Sequence, residues 1–210
     1  MDLLLSMSSS TIDRLLSPLR SKYGISYGGT KPGSILKTHI PIKTEQWNET
    51  EPGFVEADTV AHCCSSMSGE FIWSLTLTDI YSGWTEIRAV WNKGSVGVVE
   101  QIQDIKEGLP FILKGFDCDN GSEFLNHHLL RYFASLDDQQ KHRLQFTRSR
   151  SYKKDDNAHV EQKNWTHVRQ LLGYYRLDKA SIAALLNDLY KTEVSLMNNF
   201  FHSAKKKNRE

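Results

Sequence analysis

Three acidic residues stand where an unpaired carboxylate is ordinarily penalised: Asp58 inside the apolar run FVEADTV, Asp119 in FDCDNGSEF and Glu161 in NAHVEQKNW. Strands are depleted in Asp, and a buried carboxylate is costly unless it is paired, hydrogen-bonded or bound to a metal. On an ideal helix over 157–175, Trp165, Val168 and Leu172 fall within about 40° of Glu161. The carboxylate therefore occupies the apolar stripe, while His159, Gln162, Lys163, Thr166, Arg169 and Gln170 make the polar face. Carboxylate oxygens of this kind suit Mg²⁺, which takes only one or two from the protein per ion. Two such ions about 3.5 to 4 Å apart would clamp the attacking and leaving oxygens of an in-line phosphoryl transfer. No nucleophilic Ser or Cys is required.

The surrounding pattern supplies elements to bring these residues together. Period-two alternation and turn signals at Ser68-Gly69 and Ser82-Gly83 predict strands over 54–60, 70–80 and 84–91, an antiparallel meander. Val98, Ile102 and Ile105 at helical spacing predict a helix over 95–107, followed by a strand over 111–118 that such a crossover pairs parallel with the first. A helix over 122–136, a short strand over 144–147 and helices over 157–175 and 181–201 complete the chain. The order β-β-β-α-β-α-β-α implies an α/β fold with a mixed five-stranded sheet flanked by helices. Ahead of it, 1–52 reads as a short helix, capped by Ser9 or Ser10, and an extended linker rich in Gly and Pro that crosses a surface. The compact domain starts near Gly53, and 177–210 reads as a C-terminal helix with a basic tail.

Net charge is +1 over 210 residues, but the sum conceals a polarity. Residues 51–140 hold 5 Lys and Arg against 14 Asp and Glu; residues 141–176 hold 9 against 3. An acidic centre neutralised by metal ions, flanked by Arg148, Arg150, Lys153, Lys154 and Lys163, suits a phosphodiester substrate. The loop 148–157, with Tyr152 among its basic residues, has the composition of a clamp that orders on DNA. No stretch approaches the roughly 20 apolar residues of a membrane span, and the opening MDLLLSM has neither the basic start nor the long apolar region of a signal peptide. The chain reads as cytoplasmic, with Cys63, Cys64 and Cys118 reduced.

Other acids have simpler readings. Asp117 lies two positions from Asp119 on one strand face, so spacing leaves both open as ligands. Glu56 shares a face with Asp58 and is a possible auxiliary acid; Asp79 reads as a turn residue. Glu123 follows Asn120 at the spacing of a helix-capping pair. Asn120 and Gly121 would make the turn that frees the strand end, Gly121 through permissive backbone angles, with Asn120 a secondary candidate for substrate contact. His62, His127 and His128 show no ligand spacing.

DNGSEF after a strand, an upstream Asp in an apolar strand and AHVEQKN opening a helix resemble the catalytic core of DDE transposases and retroviral-type integrases. GEFIWSLTLTDIYSGWTEIRAV is similar to the second and third strands of that core. TRSRSYKKDDNAHVEQKNWTHVRQLLGY resembles the Glu-bearing stretch of bacterial insertion-sequence transposases. The resemblance covers residues 53–176, with weaker similarity in STIDRLL, KPGSILKTHIPIKT and NNFFHS. It implies an RNase H-like fold in which Asp58, Asp119 and Glu161 bind two Mg²⁺ or Mn²⁺ ions, and it selects Asp119 over Asp117. It further implies that water cuts the end of a mobile element and that the freed 3′-hydroxyl attacks target DNA at the same site. DNA is then the partner, acted on by a homodimer or larger synaptic assembly associated with a bacterial nucleoid. A nuclease on the same fold and a silent DNA-binding module are the rival readings. Proteins of this type usually carry an upstream helix-turn-helix and a further C-terminal domain. With one short helix before its linker and an end soon after NNFFHS, this chain reads as a truncated frame.

Overall fold

The computed structural model describes residues 8, 11–12, 14–16, 18, 40–42, 49–140, 144–150 and 158–201. Strands β1 (Phe54–Ala61), β2 (Ile72–Asp79) and β3 (Thr85–Trp91) form the antiparallel meander. Helix α1 (Ser95–Gly108) then crosses to β4 (Gly115–Cys118), which pairs parallel with β1, and helix α2 (His127–Gln140) leads to β5 (Gln145–Arg148), parallel to β4. The sheet order is β3-β2-β1-β4-β5. Helix α3 is α-helical over Ala158–Lys163, π-helical over Asn164–Arg169 and α-helical again over Gln170–Leu172. Helix α4 (Ala180–Leu189) continues through π-helical turns at Tyr190–Val194 and Met197–Phe201.

Alternation along the strands divides the sheet into two unlike faces. Val55, Ala57, Leu75, Leu77 and Phe116 meet Val98, Ile102 and Ile105 of α1 and Leu129 and Phe133 of α2, a continuous apolar layer. The opposite face carries Val60, Ile72, Ile87 and Ala89, covered by Val168 of α3 and by Leu186, Tyr190 and Val194 of α4 and its π-helical continuation. That face also holds the polar members of the strands, including Glu56, Thr76, Thr78 and Asp117, all buried. One of its polar chains runs from His62 Nε2 to Ser74 Oγ and on to Tyr190 Oη, 2.8 Å at each step, tying β1 and β2 to the last helix.

Several boundaries differ from the sequence reading for identifiable reasons. Helix α2 starts at His127 rather than 122, because Asn126 Oδ1 accepts the Leu129 N–H at 3.0 Å and serves as the cap. Glu123 therefore does not cap it. At the N-terminal helix Ser8 Oγ accepts the Thr11 N–H at 3.3 Å, whereas Ser9 and Ser10 lie outside the described residues. The segment before Gly53 contributes to the core: Ile40 is 1% exposed, and Ile42 bridges to Arg148 beyond the edge of β5. Asp79 does hold a turn, its carboxylate accepting the Gly53 N–H at 2.8 Å and the Ser82 N–H at 2.7 Å. Among the described residues no helix is long and apolar enough to cross a membrane.

Candidate active site

Parallel register brings the first two carboxylates together. Glu56 pairs with Asp117 and Ala57 with Cys118, so Asp58 and Asp119 each come one residue beyond the last paired rung, toward the face covered by α3. Strand β4 stops at Cys118 while β1 runs on to Ala61, leaving the last residues of β1 with an open edge. A cleft of about 450 Å³ opens there, lined by Asp58, Glu161, Asn164, Trp165, Arg169 and Trp73 among others.

Helix α3 is laid along β1 by polar contacts at successive heights. Buried Glu56 Oε2 accepts the His159 and Val160 N–H groups, both at 3.1 Å, satisfying donors that a helix start leaves open. Glu56 is thereby a clamp on the helix that carries Glu161. One level further, Asn164 Nδ2 donates to Asp58 Oδ2 at 2.7 Å, and then Arg169 Nη2 donates to the Ala61 carbonyl at 3.1 Å.

The π-helical turn revises the helical wheel. Each π turn takes in an extra residue, so positions beyond Lys163 rotate away from the 3.6-residue spacing. Trp165, expected within the inward stripe, is 53% exposed at the cleft, while Asn164 and His167 turn inward and are buried. Glu161 is itself exposed at the cleft rather than pointing into the core. The sequence reading missed Asn164, whose only signal was its place in EQKN.

Crowded carboxylates dominate the electrostatics. Burial, then the negative charge of Asp119, with Glu123 and Glu161 adding to it, pushes the Asp58 carboxyl up to about 7, against the opposing Thr59 N–H bond of 2.7 Å. Asp119 is raised by burial and by Glu123, opposed by its 2.9 Å bond from the Gly121 N–H and by Lys93. The charges of Asp119, Glu123 and Glu161 thus all act on Asp58. Among the described residues no three His, Cys, Asp or Glu side chains gather tightly enough to hold one ion between them. A pair of ions, each taking one or two carboxylates and completing its shell with water, does not require that. The oxygen-only donors and their mutual repulsion fit a hard divalent cation.

The basic residues divide. Arg148 does not face solvent: it is 9% exposed, with Nε donating to the Ile40 carbonyl at 3.1 Å and Nη1 to Asn120 Oδ1 at 3.1 Å. Its place at the end of β5, beneath the 40–42 segment, commits these donors to the protein interior. Asn120 also gives Nδ2 to the Ser149 carbonyl at 3.0 Å, so both ends of its amide fasten the β4–α2 loop to β5. Gly121 is needed for space rather than for backbone angle, since a Cβ there would fall on the Glu123 carboxylate. Arg150 is exposed, and Lys163 is half-buried with its ammonium pKa lowered by burial. Lys153 and Lys154 lie outside the described residues.

Asn164 offers a test of this geometry. Removing a group that orients a ligand costs about 10- to 100-fold in metal affinity or activity. Asn164→Ala is expected to lower Mn²⁺ affinity by that amount, measured by calorimetry, with circular dichroism unchanged. Unaltered affinity would show that the contact does not orient Asp58.

No family model matches the chain. It is 40% identical over 205 residues to the uncharacterized protein y4rM of Sinorhizobium fredii (strain NBRC 101917 / NGR234), covering 95% of this chain. The chain spans 56% of the length of that curated relative. Among solved structures, the catalytic core domain of BIV integrase matches with a TM-score of 0.50 and 13% identity, over 72% of this chain and 86% of that one. The simian T-cell lymphotropic virus intasome, solved in complex with PP2A regulatory subunit B56 gamma, matches with a TM-score of 0.56 and 13% identity, over 97% of this chain and 65% of that one. Sheet order, helix placement and these similarities together give the chain the α/β fold of the retroviral integrase catalytic core, a mixed five-stranded sheet flanked by helices.

Proposed function

We propose that this chain is a DDE-type polynucleotidyl transferase that cuts DNA and joins a 3′-hydroxyl end to a second duplex during transposition. The observation carrying the reading is that the charges of Asp119 and Glu161 both act on Asp58, beside a cleft that Asp58 and Glu161 line, in an integrase-core fold. Asp58, Asp119 and Glu161 would together hold two Mg²⁺ or Mn²⁺ ions. Bound there, such ions supply Lewis acidity and lower the pKa of water.

The chain's own residues account for orientation. The Gly121 and Thr59 N–H groups and the Asn164 amide fix the two strand carboxylates, while Glu56 holds the start of the Glu161 helix. Exposed Arg150 and half-buried Lys163, together with Lys153 and Lys154, are proposed to contact DNA phosphates, which position a duplex without reading its sequence. Arg148 is left out of that set. The resemblance to integrases and transposases favours a dimer or larger synaptic assembly, since two DNA ends are joined in concert.

A strand-transfer assay tests the proposal. Purified protein with Mn²⁺ and a labelled duplex bearing a free 3′-hydroxyl is expected to yield covalent joint molecules with a second duplex. Hydrolysis without joining would make the chain a nuclease of this fold, and neither product would make it a binding module.

A further inference from the structure

Behind the triad, on the α1 and α2 side of the sheet, lies an ion pair that the phosphoryl-transfer reading does not use. Glu123 is 3% exposed. Its Oε1 accepts from Lys93 Nζ at 2.5 Å and from Thr59 Oγ1 at 3.2 Å, while its Oε2 is buried with no hydrogen-bond partner. The Lys93 side chain is 10% exposed and its ammonium lies 4.2 Å from the centroid of the Trp73 ring, which also borders the cleft.

Three features show that this arrangement is built rather than incidental. Asn92 and Lys93 both adopt left-handed backbone angles, φ 57° and 54°, a conformation non-glycine residues rarely hold. The Glu123 carboxylate folds back over Gly121, where any Cβ would displace it. Thr59, which bonds Glu123, is the neighbour of Asp58 and alternates to the opposite face. Both strand carboxylates of the triad feel the Glu123 charge, and Asp119 also feels Lys93.

We propose that the buried Lys93–Glu123 pair is the internal counter-charge of the cation site: Glu123 strengthens divalent binding by the triad, and Lys93 weakens it. The inference rests on the metal-binding reading above. Charges this close and this shielded from water interact through a low effective dielectric, so each should act on a bound cation by its sign. The unpartnered Oε2 matters here, because removing Lys93 leaves a buried anion with no compensating cation. A divalent ion at the triad is then the nearest compensation.

Opposite signs distinguish this role from that of a structural salt bridge, whose loss from either side would impair the protein in the same direction. Mn²⁺ titration by calorimetry on the full chain supplies the readout. Lys93→Met is expected to tighten binding about tenfold and Glu123→Gln to weaken it about tenfold, while Lys93→Arg, which keeps the charge, stays near the wild type. Should Lys93→Met fail to fold, Glu123→Gln decides: weaker binding supports the inference and unchanged binding overturns it. Shifts in the same direction, or none beyond about twofold, also overturn it. If the wild type binds Mn²⁺ and Asp119→Asn loses it while these variants do not move, this inference alone fails. A wild type that binds no Mn²⁺ removes the metal reading as well.

Discussion

Asp119→Asn should abolish divalent-dependent DNA cleavage, by about 10³-fold or more, while raising the melting temperature of the metal-free protein. An activity loss of that size corresponds to about 4 kcal/mol of transition-state stabilisation. The side-chain amide keeps an oxygen for the Gly121 N–H at nearly the same volume, so the β4–α2 turn has no reason to open. What disappears is one of the charges crowded around Asp58, since Asp119 is the first charged group raising its pKa. Relief of that repulsion stabilises the unliganded fold, in the pattern of sites that trade stability for activity. Cleavage of a labelled duplex with Mn²⁺ and thermal melting in chelator read the two effects separately. Asp117→Asn is the control for the neighbouring acid, whose Oδ1 takes the Thr147 hydroxyl at 2.5 Å in the interior of the sheet. Full activity in Asp119→Asn would remove Asp119 from the chemistry, whatever the melting curve showed.

The legibility of this site in the sequence follows the range of the interactions that make it. Strand alternation and turn signals are local, so the meander and the crossover to β4 were readable, and parallel pairing then placed Asp58 beside Asp119. Helix α3 lacked that clarity because its outcome depends on contacts. A π turn at Asn164–Arg169 is selected where Asn164 reaches Asp58 and Arg169 reaches Ala61, and no 3.6-residue wheel contains that information. Arg148 was misassigned for a related reason. In a run of basic residues it looks like its neighbours, yet it ends β5 and is covered by Ile40 and Pro41 from over a hundred positions away. Glu123 reads as a cap only until Asn126 takes the cap, and its pairing with Lys93 depends on a turn thirty residues upstream.

Between pH 4 and 6.5 His62 and Asp58 should pull the stability of the metal-free protein in opposite directions. His62, fully buried between β1 and the last helix, has its pKa lowered from 6.5 to about 4, by burial first and then by the charge of Arg169. Its folded-state pKa is depressed, so the stability it carries is complete above 6.5 and is lost as pH falls through 4. At one pKa unit per 1.36 kcal/mol this amounts to about 3 kcal/mol. Asp58 works in the other direction. Raised from 3.8 to about 7, it favours the fold while protonated, and that contribution is complete below 3.8 and lost as pH rises through 7. Allowing for its partial exposure, the loss is also about 3 kcal/mol. Denaturant melts in chelator should therefore show each contribution when the other is removed. Asp58→Asn is expected to leave stability rising with pH across this window, and His62→Gln to leave it falling. Divalent cation should mimic the first variant, because a bound ion holds Asp58 ionised and must displace its proton, with affinity dropping about tenfold per pH unit below 7. A flat profile in both variants would mean that neither group changes its titration on folding, and the crowding of Asp58 by Asp119, Glu123 and Glu161 would lose its thermodynamic content.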